Sequence, residues 1–103
     1  MSDLKIVYLS GPMSGLPVAV YTRRFKEAEE FYRDQGYEVV NPCNLILKNA
    51  TYDELLENDL IYLRKCTHIA LLNGWLDSKG SNIELKEAKD LGLKIMRYSN
   101  LHY

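Results

Sequence analysis

Several residue types are scarce in this chain of 103 residues, and each scarcity excludes something. The two cysteines, Cys43 and Cys66, stand far apart, form no CxxC pair and have no histidine pair nearby. A metal site is therefore not expected, and two free thiols of a reducing compartment are. The two histidines, His68 and His102, lie near no candidate nucleophile, and no Ser-His-Asp order is visible, so both read as structural. No apolar run approaches the roughly 18 residues that span a bilayer. Met1-Ser2-Asp3-Leu4-Lys5 carries no signal-peptide h-region, so a cytoplasmic protein with no membrane partner is expected. An excess of either charge is also missing: 13 basic residues face 14 acidic ones, for a net charge of -1. Long nucleic acid is thereby disfavoured, because it requires a basic surface. A single phosphorylated small molecule remains compatible, because backbone N–H groups can hold a phosphate. Repeats, low-complexity segments and linkers are absent. So are the Walker A pattern and G-x-G-x-x-G.

What is present is ordinary for a globular domain: 47% apolar and 26% charged residues. Residues 1–103 read as a single domain, long enough to bury roughly two-thirds of the unfolded surface. Eight tyrosines suit a pocket or a subunit interface.

The apolar run Ile6-Val7-Tyr8-Leu9 within Lys5 to Ser10 predicts a strand buried on both faces. Gly11 to Gly15 is a loop. A helix follows from about Pro17, with Tyr21, Phe25, Ala28 and Tyr32 on its inner stripe, and Gly36 stops it. Tyr37 to Asn41 is a second strand, ended by Pro42. Residues 43–50 form a loop with apolar content (Leu45, Ile46, Leu47), placed to act as a flap. Thr51 and Glu54 make a capping box for a helix from Tyr52 to Lys65. A third strand spans His68 to Leu72, a third helix Ser81 to Leu91 before Gly92, and a fourth strand Leu93 to Tyr98. This βαβαβαβ order predicts an α/β fold: a small open parallel sheet of four to five strands, in flavodoxin-like or Rossmann-like order, with helices on both faces.

In such sheets ligands bind at the carboxyl ends of the strands. The polar stretch Asn73 to Glu84, after Ile69-Ala70-Leu71-Leu72, sits where such a loop should be. Glu84 has two readings. Ser81-Asn82-Ile83-Glu84 is a second S-x-x-E pattern, so Glu84 can be a cap. It also shares its spacing with Ala88 and Leu91, hence an inward face. Near a helix N-terminus it would be held ionised, as a carboxylate nucleophile must be. Asp59 lies on the apolar stripe Tyr52, Leu56, Leu63, so it requires either a structural partner near Arg64 and Lys65 or a wet crevice. Tyr8 and Ser10 share one side of the first strand. The N–H groups of Ser14 and Gly15 could hold a phosphate or a sugar hydroxyl. Asp77 and Asn73 flank Trp75, whose indole could stack on a base or pack under the loop.

Taken together, these residues resemble the nucleoside 2-deoxyribosyltransferase-like superfamily, and more closely its small DUF4406 family. The resemblance is carried by Ile6 to Gly15, Val39-Val40-Asn41-Pro42, Asp59-Leu60, Cys66, Leu71-Leu72-Asn73-Gly74-Trp75, Ser78-x-Gly80-x-x-x-Glu84 and Ala88-x-x-Leu91-Gly92. It implies cleavage of the N-glycosidic bond of a deoxynucleoside or deoxynucleotide without a cofactor. Glu84 would attack C1′, Asp59 would protonate or position the base, and Tyr8 would orient the nucleophile. Ser10, Gly11, Met13, Ser14 and Gly15 would hold a 5′-phosphate, with Asn73, Trp75, Asp77, Ser78 and Gly80 as further substrate contacts. The transferases carry an Asp-x-Gly-Thr-like run before the glutamate. Here the run is Asp77-Ser78-Lys79-Gly80-Ser81, with different spacing. They also complete each site with a neighbouring subunit, which implies a homo-oligomer. Two functions follow: a glycosidase or transferase acting on a small nucleoside or nucleotide, or a non-catalytic module that binds or sequesters one. For the first, Tyr8, Asp59 and Glu84 must converge on one crevice.

Overall fold

A computed structural model describes residues 4–45 and 47–99. Among them lie β1 (Ile6–Ser10), α1 (Val18–Asp34), β2 (Glu38–Val40), α2 (Tyr52–Leu63), β3 (His68–Leu71), α3 (Lys79–Leu91) and β4 (Lys94–Arg97). Short 3-10 turns at Pro42–Asn44 and Trp75–Asp77 interrupt the loops after β2 and β3. Ile46 and His102 fall outside the described residues.

The four strands are parallel, in the order β2-β1-β3-β4, which is the start of a flavodoxin-like sheet. From β1 the chain moves outward to β2, then crosses back over β1 to β3. That reversal puts α1 on one face and α2 with α3 on the other. Two apolar clusters record it. Val7, Leu9, Ala70 and Leu72 pack with Phe25, Ala28 and Tyr32 of α1. Tyr8, Ile69 and Leu71 pack with Leu63 and Cys66 at the end of α2 and with Leu85 and Ala88 of α3. The period of two assigns the faces, and the register pairs Tyr8 with Ile69 and Ser10 with Leu71. Every residue of β1 beyond Ile6 is buried, which explains an apolar run rather than an alternation.

The ladders continue past the assigned strand ends. Leu72 donates its N–H to the Ser10 carbonyl and Tyr98 donates to Leu71, so both expected strand termini stay attached to the sheet. Thr51 and Glu54 form the expected capping box on α2, which closes at Leu63. At α3 the expectation fails. The helix begins at Lys79, and the Ser78 hydroxyl caps it by accepting from the Ser81 N–H. Ser81 is therefore a residue of the first turn, Glu84 belongs to the second turn, and no Ser81–Glu84 box exists.

Asn41, buried at the end of β2, fixes the segment that follows. Its side-chain oxygen accepts from the Cys43 N–H, and its amide donates to Glu29. His68 is structural: its ring meets Tyr37 edge-on and contacts the Thr67 hydroxyl. Tyr32 meets both Tyr37 and Tyr98 ring to ring, while Tyr21 and Tyr52 reach the main cleft.

Candidate active site

The reversal between β1 and β3 opens a crevice at their carboxyl ends, as this topology requires. Tyr8 and Ser10 lie two residues apart on the face toward α3, separated by nearly 7 Å of strand. The long ring of Tyr8 makes up that distance, so both hydroxyls meet one carboxylate. Tyr8 donates to Oε2 of Glu84 at 2.6 Å, and Ser10 donates to Oε1 at 2.7 Å. All three side chains are buried, with Glu84 only 6% exposed. Ala88, one turn on, packs into the core on the same side and sets the phase of the helix.

Burial dominates the electrostatics of this group. It pushes Glu84 up to about 7, although the Tyr8 and Ser10 hydroxyls lower it, while the nearby Asp59 adds to the rise. Burial likewise pushes Asp59 up to about 6, and Tyr8 draws it back in part. Tyr8 is raised well above its ordinary value by burial and then by Glu84 and Asp59. The expectation that the helix dipole holds Glu84 ionised is corrected by its position. The dipole acts within the first turn, and Glu84 lies beyond it.

The cleft in front of Glu84 has a volume of about 810 Å³. Gly11, Pro12, Met13 and Ser14 form the wall after β1, Tyr52, Leu56 and Asp59 the α2 wall, and Asp77 to Ser81 with Glu84 the α3 wall. Cys43, Leu45 and Leu47 add an apolar side from the segment expected to be a flap. Gly11 has a steric reason to be glycine: a Cβ there would come within 2.8 Å of the Leu72 Cβ.

Asp59, Glu84, Gly11, Met13, Ser14, Asp77, Ser78 and Gly80 thus share one cleft, with Tyr8 supporting Glu84 from the sheet. Four residues are placed differently from expectation. Ser10 is 1% exposed and is not on the cleft wall; its hydroxyl is engaged by Glu84. Gly15 is exposed, with φ +82° and nothing near its Cβ position, so it serves the turn into α1. Asn73 and Trp75 line a second cleft of about 390 Å³, with Arg97 and Ser99, and Asp77 borders both. The cause is Gly74, at φ +87° and packed against Pro12, which turns the chain over the ends of β3 and β4. Trp75 then packs on the α2–α3 core and lies under the Arg97 guanidinium, 5.7 Å from its ring. Sequence reasoning missed Ser81, whose hydroxyl is buried without a hydrogen-bond partner. It also missed Tyr21 as a cleft residue, though Tyr21's place on the inner stripe of α1 carried that signal. Among the described residues no cluster could hold a metal ion, and no helix is long and apolar enough to cross a membrane.

The model of a domain of unknown function, DUF4406, matches residues 5–97. The chain belongs to the DUF4406 family. No curated protein sequence matches it. Among solved structures, this DUF4406 chain resembles the CMP N-glycosidase BcmB of Clostridium botulinum, with TM-score 0.65 and 22% identity over 92% of this chain and 71% of that one. It also resembles a 2-deoxyribosyltransferase of Leishmania mexicana, with TM-score 0.71 and 17% identity, covering 92% of this chain and 64% of that one. A third neighbour is BlsM, with TM-score 0.63 and 18% identity over 99% of this chain and 85% of that one. The DUF4406 chain spans about two-thirds of the length of the transferase. At these identities the likeness is one of fold.

Proposed function

We propose that this protein cleaves the N-glycosidic bond of a small deoxynucleoside or deoxynucleotide, with Glu84 as the nucleophile. The observation that carries this reading is a buried carboxylate with both oxygens held by hydroxyls, beside a second carboxylate in one cleft. Glu84 attacks C1′, the C1′–N bond breaks, and its electron pair leaves with the base. Asp59, whose raised affinity for a proton keeps it partly protonated near pH 6, delivers that proton to the base. The product is a glycosyl ester of Glu84, as in retaining glycosidases. Water then completes hydrolysis, or a second base completes transfer. Ionised Glu84 suits the positive charge that develops on the sugar. The two neighbours whose names state a reaction, a CMP N-glycosidase and a 2-deoxyribosyltransferase, act at the same kind of bond. The loop Gly11 to Ser14 is proposed to contact the sugar or its 5′-phosphate.

Incubation with a panel of nucleosides and nucleoside monophosphates, ribo and deoxy, tests this. Free base released by the wild type and not by Glu84→Gln is the expected result. Tight binding with no release from any member would establish the binding module instead. Monophosphates should bind more tightly than nucleosides, and equal affinities would remove the phosphate role from the loop.

A further inference from the structure

We propose that Ser10 is a positioning residue that fixes the plane of the Glu84 carboxylate and favours its anionic form, without touching the ligand. This deepens the proposed role of Glu84 and rests on it. The rotation of a carboxylate about its last bond is a soft torsion with broad minima. One donor leaves that rotation partly free, whereas donors on both oxygens fix it. Tyr8 holds Oε2 and Ser10 holds Oε1. A carboxylate offers about four lone-pair sites, so two remain for the reacting carbon after both bonds form.

The surroundings give Ser10 more weight than a hydroxyl usually has. Among the described residues no cation pairs with Glu84. The titratable groups nearest it are Tyr8 from β1 and Asp59 from α2, both able to bear negative charge; Tyr21 of α1, Cys43 after β2, Tyr52 of α2, and Asp77 and Lys79 beside the start of α3 also line the cleft. Hydroxyl donors are then the support for the anion. Ser10 itself is buried behind the carboxylate and off the cleft wall. Its carbonyl keeps β3 in register by accepting from Leu72, a bond that a side-chain change leaves intact. Replacing Ser10 therefore removes one donor and little else.

The test is Ser10→Ala, with Ser10→Thr as the variant that retains a hydroxyl. Two quantities are read. One is the pH profile of base release. The other is the titration of Glu84 itself, from the protonated-carboxyl band in infrared difference spectra against Glu84→Gln. In Ser10→Ala both midpoints should rise, so that activity falls about tenfold more at pH 6 than at pH 9, the consequence of losing one charge-assisted hydrogen bond. Ser10→Thr should return both toward the wild type. A uniform loss at every pH with an unmoved infrared midpoint would overturn the proposal. If the wild type releases no base, the glycosidase reading fails on its own, while the infrared midpoint still decides whether Ser10 holds Glu84.

Discussion

Thr51-Tyr52-Asp53-Glu54 and Ser81-Asn82-Ile83-Glu84 share one local pattern, yet the fold uses them differently. At α2 the reciprocal bonds are present: Thr51 N–H to Glu54 at 2.9 Å, and Glu54 N–H to the Thr51 hydroxyl at 3.1 Å. Glu54 stays in water, and its bonds to Thr51 hold it below the usual carboxylate range. At α3 the helix has already started, capped by Ser78. Glu84 is carried one turn further, toward the sheet, where Tyr8 and Ser10 await it and burial raises it to about 7. The pattern S/T-x-x-E fixes only a spacing. A cap three residues earlier, together with two hydroxyls on a neighbouring strand, turns the same spacing from a helix start signal into a buried acid.

The sharpest way to break this comparison is substitution at the two glutamates. Glu84→Gln should remove base release by several powers of ten, each about 1.4 kcal/mol of barrier. Next in size is Asp59→Asn, expected to lower the rate roughly 10²–10⁴-fold, as loss of a general acid does. The wild-type profile should be a bell. It falls in acid as Glu84 takes up a proton and in base as Asp59 loses one, with midpoints that belong to the coupled pair. Asp59→Asn should flatten the alkaline limb and leave the acid limb.

Stability tells the two sites apart by sign. Glu84 is raised from 4.5 to about 7 in the fold. Between those values the folded state binds more protons than the unfolded state, so stability is highest below pH 4.5 and is lost as pH rises to 7. Glu84→Gln lacks that titration. Urea unfolding should therefore show Glu84→Gln gaining on the wild type from pH 5 to pH 8, by an amount on the order of 2–3 kcal/mol. Glu54, lowered from its usual value, titrates in the opposite sense and should show no such gain. Smaller still are the caps. Ser78→Ala should cost about 1 kcal/mol, like Thr51→Ala. Ser81→Ala, which removes an unpartnered buried hydroxyl, should cost nothing or stabilise. If Ser81→Ala costs more than Ser78→Ala, the cap has been placed on the wrong serine.

How much of this was legible in the sequence follows the same division. The parallel sheet was legible because β1 and β3 are apolar runs and each helix shows its stripe. The face shared by Tyr8 and Ser10 followed from the period of two, and the convergence of Tyr8, Asp59 and Glu84 is met in the fold. The start of α3 was not legible, because Ser78 and Ser81 are both good cap residues and only the packing of Glu84 against β1 selects the phase. The placement of Asn73 and Trp75 was not legible either. It depends on Gly74 adopting a left-handed conformation against Pro12, a contact across 62 residues. The raised affinity of Glu84 for protons is likewise a property of burial, which spacing alone does not measure.

The most direct test is base release measured side by side for wild type, Glu84→Gln and Glu54→Gln between pH 6 and pH 7, where ionised Glu84 and protonated Asp59 coexist. Release by the wild type and by Glu54→Gln at equal rates, with none from Glu84→Gln, is the predicted result. Equal release from all three would contradict it and leave Glu84 a buried structural acid.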